Sequence, residues 1–340
     1  MKKMLSVISL LMALLMLMSF AGCAGTGNVN NENNNNGGAQ AAAPEKTNIY
    51  TIKGPTGMGM AELIATDKAS ETPAYNVNVV AAPTDITAAI VNGDADIAAC
   101  PVNLASVLYN KTSGGVKILA VNTLGVTYIV TNGVEINSIA DLRGKTIISA
   151  GQGATPEYIL NKLLTDNGMK VGEDVFVEFK SEHADVASLL LAGEADIVLL
   201  PEPNVTSSLI QNPELKTLDL TKEWEEMYNT QLVQGCVIAR TEFVEKYPDA
   251  VNSFLADYKE SVDVINTATD EAAQMIVDAG IIPKAPIAKK AIPTSHIEFI
   301  AGDSMEILVK ENLLVLYNAN PTSVGGNLPD DNFYYDYQAN

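Results

Sequence analysis

The spacing of apolar positions alternates between two periods along most of this chain. Short runs rich in Ile, Val and Ala read as buried strands, and between them lie longer segments whose apolar residues recur every three or four positions, the helical period. The pattern predicts strand 48–53, helix 58–69, strand 77–82, helix 84–91, strand 96–100, helix 103–110 and strand 116–121. A second series predicts strand 145–149, helix 155–167, strand 175–179, helix 184–191, strand 196–200 and helix 203–210. Strands that alternate with helices in this way build an open, mostly parallel sheet with helices on both faces. Two further extended runs, "GVTYIVTN" at 125–132 and "QGCVIAR" at 234–240, link and follow the two series and predict a two-stranded hinge. Beyond Glu242 the period is helical: Pro248 opens a helix through Ile265, Thr269 caps one running to Ala279, and Asp303 begins another to Tyr317.

The two series share one unit. "AAIVNGDADIAACPVN" at 88–103 repeats as "SLLLAGEADIVLLPEP" at 188–203, with Gly93 matching Gly193, Asp96 matching Asp196 and Pro101 matching Pro201. In each copy an amphipathic helix stops at a glycine that tolerates the left-handed cap geometry, a buried strand starts at the Asp, and a proline ends it. Asp96 and Asp196 therefore read as structural residues at the strand starts.

The N-terminus follows other rules. Lys2 and Lys3 before the apolar run Met4 to Phe20 have the layout of a secretory signal. The closing Phe20-Ala21-Gly22-Cys23 resembles a bacterial lipobox, with Phe20 where Leu is usual, which makes Cys23 the expected lipidation site. The alternative, an uncleaved anchor helix, meets a run short of the about 20 residues a membrane span needs. Residues 24–47 are nearly free of large apolar side chains and read as a disordered tether reaching roughly 25 to 30 Å. The expected organisation is signal 1–23, tether 24–47, first lobe 48–128, second lobe 129–236 and a return to the first lobe over 237–340. Such a chain lies outside the cytoplasm, lipid-anchored on the outer face of the membrane or in a periplasm.

Charge narrows the partners. With 21 Lys+Arg against 41 Asp+Glu, nucleic acid and anionic membrane surfaces are excluded as electrostatic partners, although a small anion needs only local donors. Once Cys23 is assigned to lipid, Cys100 and Cys236 remain in apolar runs with no CxxC or His partner, so no metal site is expected. They read as two small buried residues or as a disulfide.

Several stretches together carry a resemblance: "INSIADLRGKTI" (136–147), "HADVASLLLAGEADIVLLPEP" (183–203), "FVEKYPDAVNSFLADYKES" (243–261) and "NPTSVGGNLPDDNFYYD" (320–336). The chain is similar to solute-binding proteins of ABC importers with the type II periplasmic fold, in the sulfonate, nitrate, taurine and thiamine-precursor (SsuA/THI5-like) group. The resemblance implies an α/β protein of two lobes that close on a small-molecule solute and deliver it to the permease and ATPase subunits. It implies a monomer without catalysis or cofactor. It leaves the solute unnamed.

In open α/β sheets ligands gather outside the carboxyl ends of the strands. Three loops there share a character: "GPTGMG" after the first strand, "CPVN" after the third, and "AGQGATPEY" (150–158) after the first strand of the second lobe. Glycines allow close backbone approach, and helix N-termini present free N–H donors. The two jaws are therefore expected at Gly54, Thr56, Gly57 and Met58 on one side and Gln152, Gly153 and Thr155 on the other. Asn103 and Glu202 would fix orientation, and Tyr158 could stack on an aromatic ligand. Each has a plainer reading: a tight turn for Gly57, core filling for Met58, Met60 and Tyr158, a solvated carboxylate for Glu202. His183, Arg143 and Lys145 read as structural or surface residues, while Trp224 and Tyr228 suggest one packed helix face or a lip over the cleft. Lys53 is the one basic residue in these loops, so a nitrate or sulfonate would depend on neutral donors. Two other classes compete. Enzymes resembling thiamine-pyrimidine synthases or menaquinone-pathway dehydratases share the fold, but no nucleophile–base pair or iron motif is evident. A sensory or adhesive surface lipoprotein is the third.

Overall fold

The structure, a computed structural model, describes residues 43–337; the signal run, Cys23 and most of the tether lie outside the described residues. Eleven strands carry the described fold: β1 (Thr47–Ile52), β2 (Tyr75–Val80), β3 (Ile97–Pro101), β4 (Val116–Leu124), β5 (Thr127–Thr131), β6 (Thr146–Ala150), β7 (Phe176–Lys180), β8 (Ile197–Pro201), β9 (Lys216–Asp219), β10 (Val233–Arg240) and β11 (Ile297–Ile300). They form a six-stranded sheet in the order β11-β4-β10-β3-β1-β2 and a five-stranded sheet in the order β7-β6-β8-β5-β9. The lobe built on the six-stranded sheet is called the first, the other the second.

Both sheets are mixed, where the sequence pattern suggested mostly parallel ones. The strand–helix–strand units do give parallel pairs, β1 with β2 and β3, β6 with β7 and β8. The strands laid down after the chain changes lobe run the other way: β5 lies antiparallel to β8 and β9, and β10 antiparallel to β3 and β4. β11 is also antiparallel to β4. The two runs expected to form a hinge, 125–132 and 234–240, do not pair with each other. Each is instead an interior strand of its own sheet, and the chain crosses between lobes at Gly125–Val126 and again between the helix Leu220–Tyr228 and β10. His296 marks the first crossing, its Nδ1 standing 2.5 Å from the Gly125 carbonyl oxygen, which makes Nδ1 the protonated nitrogen.

Alternation along the strands divides the core. On the six-stranded sheet Ile97, Ala99, Val237 and Ala239 face one cluster with Phe254, Leu255 and Tyr258 of the helix Pro248–Ile265. Ala98, Cys100, Cys236 and Ile238 face the other, closed by the helix Gly302–Ala319. Cys100 and Cys236 are directly opposed on β3 and β10, fully buried and free, and the Cys236 thiol donates toward Cys100 O at 3.6 Å. Burial pushes the Cys236 thiol well above its ordinary pKa. Trp224 is fully buried and edge-packed on Tyr228 at 4.5 Å, which settles that pair as a packed helix face. No helix among the described residues is long and apolar enough to cross a membrane.

The internal repeat is structural in both copies. Gly93 and Gly193 end their helices in the left-handed region at φ 80° and 71°. The aspartates then diverge. Asp96 accepts bonds from the Asn48 backbone N–H at 2.9 Å and from the Arg240 guanidinium at 2.8 Å, whereas Asp196 is exposed.

Candidate functional site

The first-lobe loop turns at Gly54, whose φ of 91° suits glycine, into the short helix Pro55–Met58. Gly57 is required by close approach: a Cβ there would stand 2.2 Å from the Ile52 carbonyl oxygen. The Thr56 carbonyl accepts from Asn122 Nδ2 at 3.0 Å, and a Cβ on Gly235 would come within 2.9 Å of Thr56 Oγ1, so β1, β4 and β10 are drawn together under this loop. Met58 and Met60 have no exposed surface and sit in the core beside Phe254 and Tyr258. Of the two readings of Met58, core filling describes its place.

Across the crevice, Thr155 begins the helix Thr155–Asp166 and donates its hydroxyl to Asn103 Oδ1 at 2.7 Å. Both residues are buried, and the bond runs from one lobe to the other. Asn103 also donates to the Ser323 carbonyl at 3.3 Å, tying the latch to the C-terminal segment. Tyr158 is half-buried and packs against the first-lobe cluster that contains Val102 and Leu108. Burial, with the charge of Glu157 second, raises the pKa of its hydroxyl. Gln152 and Gly153 are exposed, with Gly153 at φ 79° and its N–H given to Glu157.

A second interlobe contact centres on Glu202, which is 3% exposed and so is no solvated carboxylate. Its Oε1 accepts the Thr206 hydroxyl at 2.9 Å and the Thr294 hydroxyl at 2.6 Å, and its Oε2 accepts the Thr206 backbone N–H at 3.1 Å. Thr206 belongs to the helix Asn204–Gln211 of the second lobe, and Thr294 to the segment before β11 in the first. Burial raises the Glu202 pKa, and the bonds from Thr294 and Thr206 and the proximity of His296 offset part of that rise. Gly54 approaches the same place, since a Cβ on it would lie 4.0 Å from Pro203 Cδ. Glu202 lies at the edge of a cavity of about 360 Å³. Tyr128, Val205 and Leu209 supply its apolar walls, and the exposed Ile210, Thr217 and Lys290 line its rim.

The structure thus brings Asn103 to Thr155 and Gly54 to Pro203, next to Glu202, but leaves Gln152 and Gly153 in solvent and Met58 in the core. Of the residues singled out in the sequence, Glu202 alone lines this cavity. Sequence reasoning missed Tyr128, Thr206, Thr294 and Lys290. Thr206 carried a usable signal, standing four residues after Glu202 at a helix start; Thr294 and Lys290 lie in a stretch with no periodic pattern.

Two mixed sheets joined by two short crossings, with strand-end loops of both meeting at a crevice, define a two-lobed binding-protein fold. The family model for "ABC transporter, phosphonate, periplasmic substrate-binding protein" matches residues 68–285, and the chain belongs to this family. A crystal structure of an ABC transporter protein from Parabacteroides distasonis superposes with a TM-score of 0.74 at 20% identity, covering 87% of this chain and 100% of that one. The periplasmic aliphatic sulphonate binding protein SsuA from Escherichia coli gives 0.68 at 15% identity, covering 87% of this chain and 95% of that one. Both likenesses show the fold. A curated binding protein of Brucella abortus (strain 2308) is 25% identical over 184 residues, 54% of this chain. The match spans 56% of the length of that relative. The resemblance to ABC importer binding proteins read from the sequence stands, with phosphonate in the description of the matching family.

Proposed function

We propose that the chain is the extracytoplasmic solute-binding component of an ABC importer. It captures a small solute between its lobes and hands it to the permease. The observation that carries this is the Thr155–Asn103 bond: two buried polar side chains from opposite strand-end loops, 2.7 Å apart, where opening of the crevice would separate them. A polar contact of this kind is made and broken as a unit, so lobe closure has two discrete states that a solute can bias. In this reading the protein is a monomer without catalysis, anchored by lipid on Cys23, with the tether letting the globule reach its permease. The lobe boundaries 48–128, 129–236 and 237–340 shift by a few residues to the crossings at Gly125–Val126 and ahead of β10, which put all of β5 in the second lobe and all of β10 in the first. The membership of the family and the solutes named for its relatives, sulfonates and phosphonates, support a small organic or anionic ligand as the starting set. The test is thermal unfolding of the full chain against phosphonates, sulfonates, nitrate, pyrimidines, amines and amino acids. A ligand that binds only the folded state raises the midpoint, by about 2.7 kcal/mol of stability at a hundredfold excess over Kd. A concentration-dependent rise with one chemical class is the expected result; a flat midpoint across the whole panel contradicts the proposal.

A further inference from the structure

The cavity beside Glu202 has a chemistry that the family description does not anticipate. A carboxylate oxygen offers about two acceptor sites. Oε1 of Glu202 is filled by two threonine hydroxyls, while Oε2 holds one backbone N–H and keeps one site unfilled. Of the hydroxyls around the cavity, those of Thr206 and Thr294 already bond to Glu202, that of Tyr128 points to the Thr294 carbonyl at 3.5 Å, and that of Thr217 stands exposed at the rim, away from the carboxylate's buried end. A phosphonate or sulfonate entering would set its negative oxygens beside a buried carboxylate, where water is too scarce to screen the repulsion. Lys290 is the one basic residue among those lining the cavity, and it stands exposed at the rim rather than over the carboxylate's buried end. The walls are apolar, and the volume of about 360 Å³ suits a small molecule.

We infer that this cavity takes a solute carrying an N–H donor, an ammonium or amide nitrogen, on a small apolar body, with the nitrogen on Glu202 and the body against Tyr128, Val205 and Leu209. The inference rests on the reading of the chain as a solute receptor and specifies its ligand class. Binding at this place also joins the lobes, because Glu202 and Thr206 come from the second and Thr294 and Lys290 from the first.

Calorimetric titration of the full chain with isoamylamine, leucinamide, methylphosphonate and ethanesulfonate tests it. The amine and the amide should bind and the two anions should not. Glu202→Gln should weaken the amine by tenfold or more. Leu209→Trp, which fills the cavity from a half-buried wall position, should abolish binding while leaving the unfolding midpoint near that of the wild type. Binding of methylphosphonate or ethanesulfonate without the amines would overturn the ligand class and leave the receptor reading intact. Equal amine affinity in wild type, Glu202→Gln and Leu209→Trp would overturn the site. If none of the four probes binds, the inference fails, while the receptor reading is decided separately by the wider panel.

Discussion

Glu202 holds a charge where charge is expensive, and the consequence is a pH dependence of known sign. Burial lifts its folded pKa above the ordinary carboxylate range. Between the ordinary and the raised value the folded chain keeps a proton that the unfolded chain has released, so stability is greatest below that window and declines as pH rises through it. His183 works the other way: burial lowers its pKa, so its contribution is present above the ordinary histidine range and is lost on acidification. The comparison must therefore be with a variant. Relative to Glu202→Gln, the wild type should gain stability as pH falls from neutral toward the ordinary carboxylate range, read from denaturant titrations at a series of pH values; a stability difference that does not change with pH would remove the claim. Gly57 allows a simpler prediction. A Cβ 2.2 Å from the Ile52 carbonyl oxygen forces backbone movement, and Gly57→Ala should cost about 1–3 kcal/mol, read as a lowered unfolding midpoint. Glycine-rich character alone could not separate this packing demand from ligand approach, because the atom that forbids a side chain belongs to the preceding strand.

At the scale of the element, the duplicated strand–helix unit is held differently in its two copies. Arg240 on β10 bonds to Asp96 at 2.8 Å and to the Ala95 carbonyl at 3.0 Å, so it pins β10 to the start of β3. Arg240→Ala should destabilise by about 1.5–3 kcal/mol as a largely enclosed charge loses its partner, whereas Asp196→Ala, at an exposed position, should fall within about 0.5 kcal/mol. Chemical denaturation of the two variants compares them directly. The repeat was legible because its glycine caps and buried strands are local features. The helix Pro248–Ile265 was legible to the residue, since proline at its first position and an apolar stripe mark both face and start. What local pattern could not show was direction and partnership. The run at 127–131 looks the same whether it crosses between lobes or lies inside a sheet, and its pairing with β8 depends on residues 66 to 74 positions away. The site was half legible for the same reason. Asn103 and Thr155 were singled out at strand ends as ligand contacts, and their bond to each other was not foreseen, while Thr294 and Lys290 reach the cavity from a stretch whose place is set by packing alone.

For the whole molecule, closure rests on polar contacts between the lobes, Thr155 with Asn103, Thr294 with Glu202 and the Tyr128 hydroxyl with the Thr294 carbonyl, together with the packing of Tyr158 on the first lobe and of Val315 on the second. Removing the Thr155 hydroxyl leaves Asn103 Oδ1 buried without its donor, a cost of about 1–3 kcal/mol to the closed state, and removing the Thr294 hydroxyl takes one of the two donors from Glu202 Oε1. Each tenfold change in the closed-to-open ratio corresponds to about 1.4 kcal/mol. The variant Thr155→Ala with Thr294→Ala should therefore open measurably without unfolding, and should bind its solute more weakly by the fraction of molecules no longer closed. The measurement that bears most directly on capture between lobes is small-angle scattering of this variant and of the wild type. Each is measured alone and with a saturating amount of the solute that most raises the unfolding midpoint. Capture between lobes predicts a larger radius of gyration for the free variant, restored to the wild-type closed value by solute. Identical scattering from variant and wild type, unchanged by saturating solute, would contradict it.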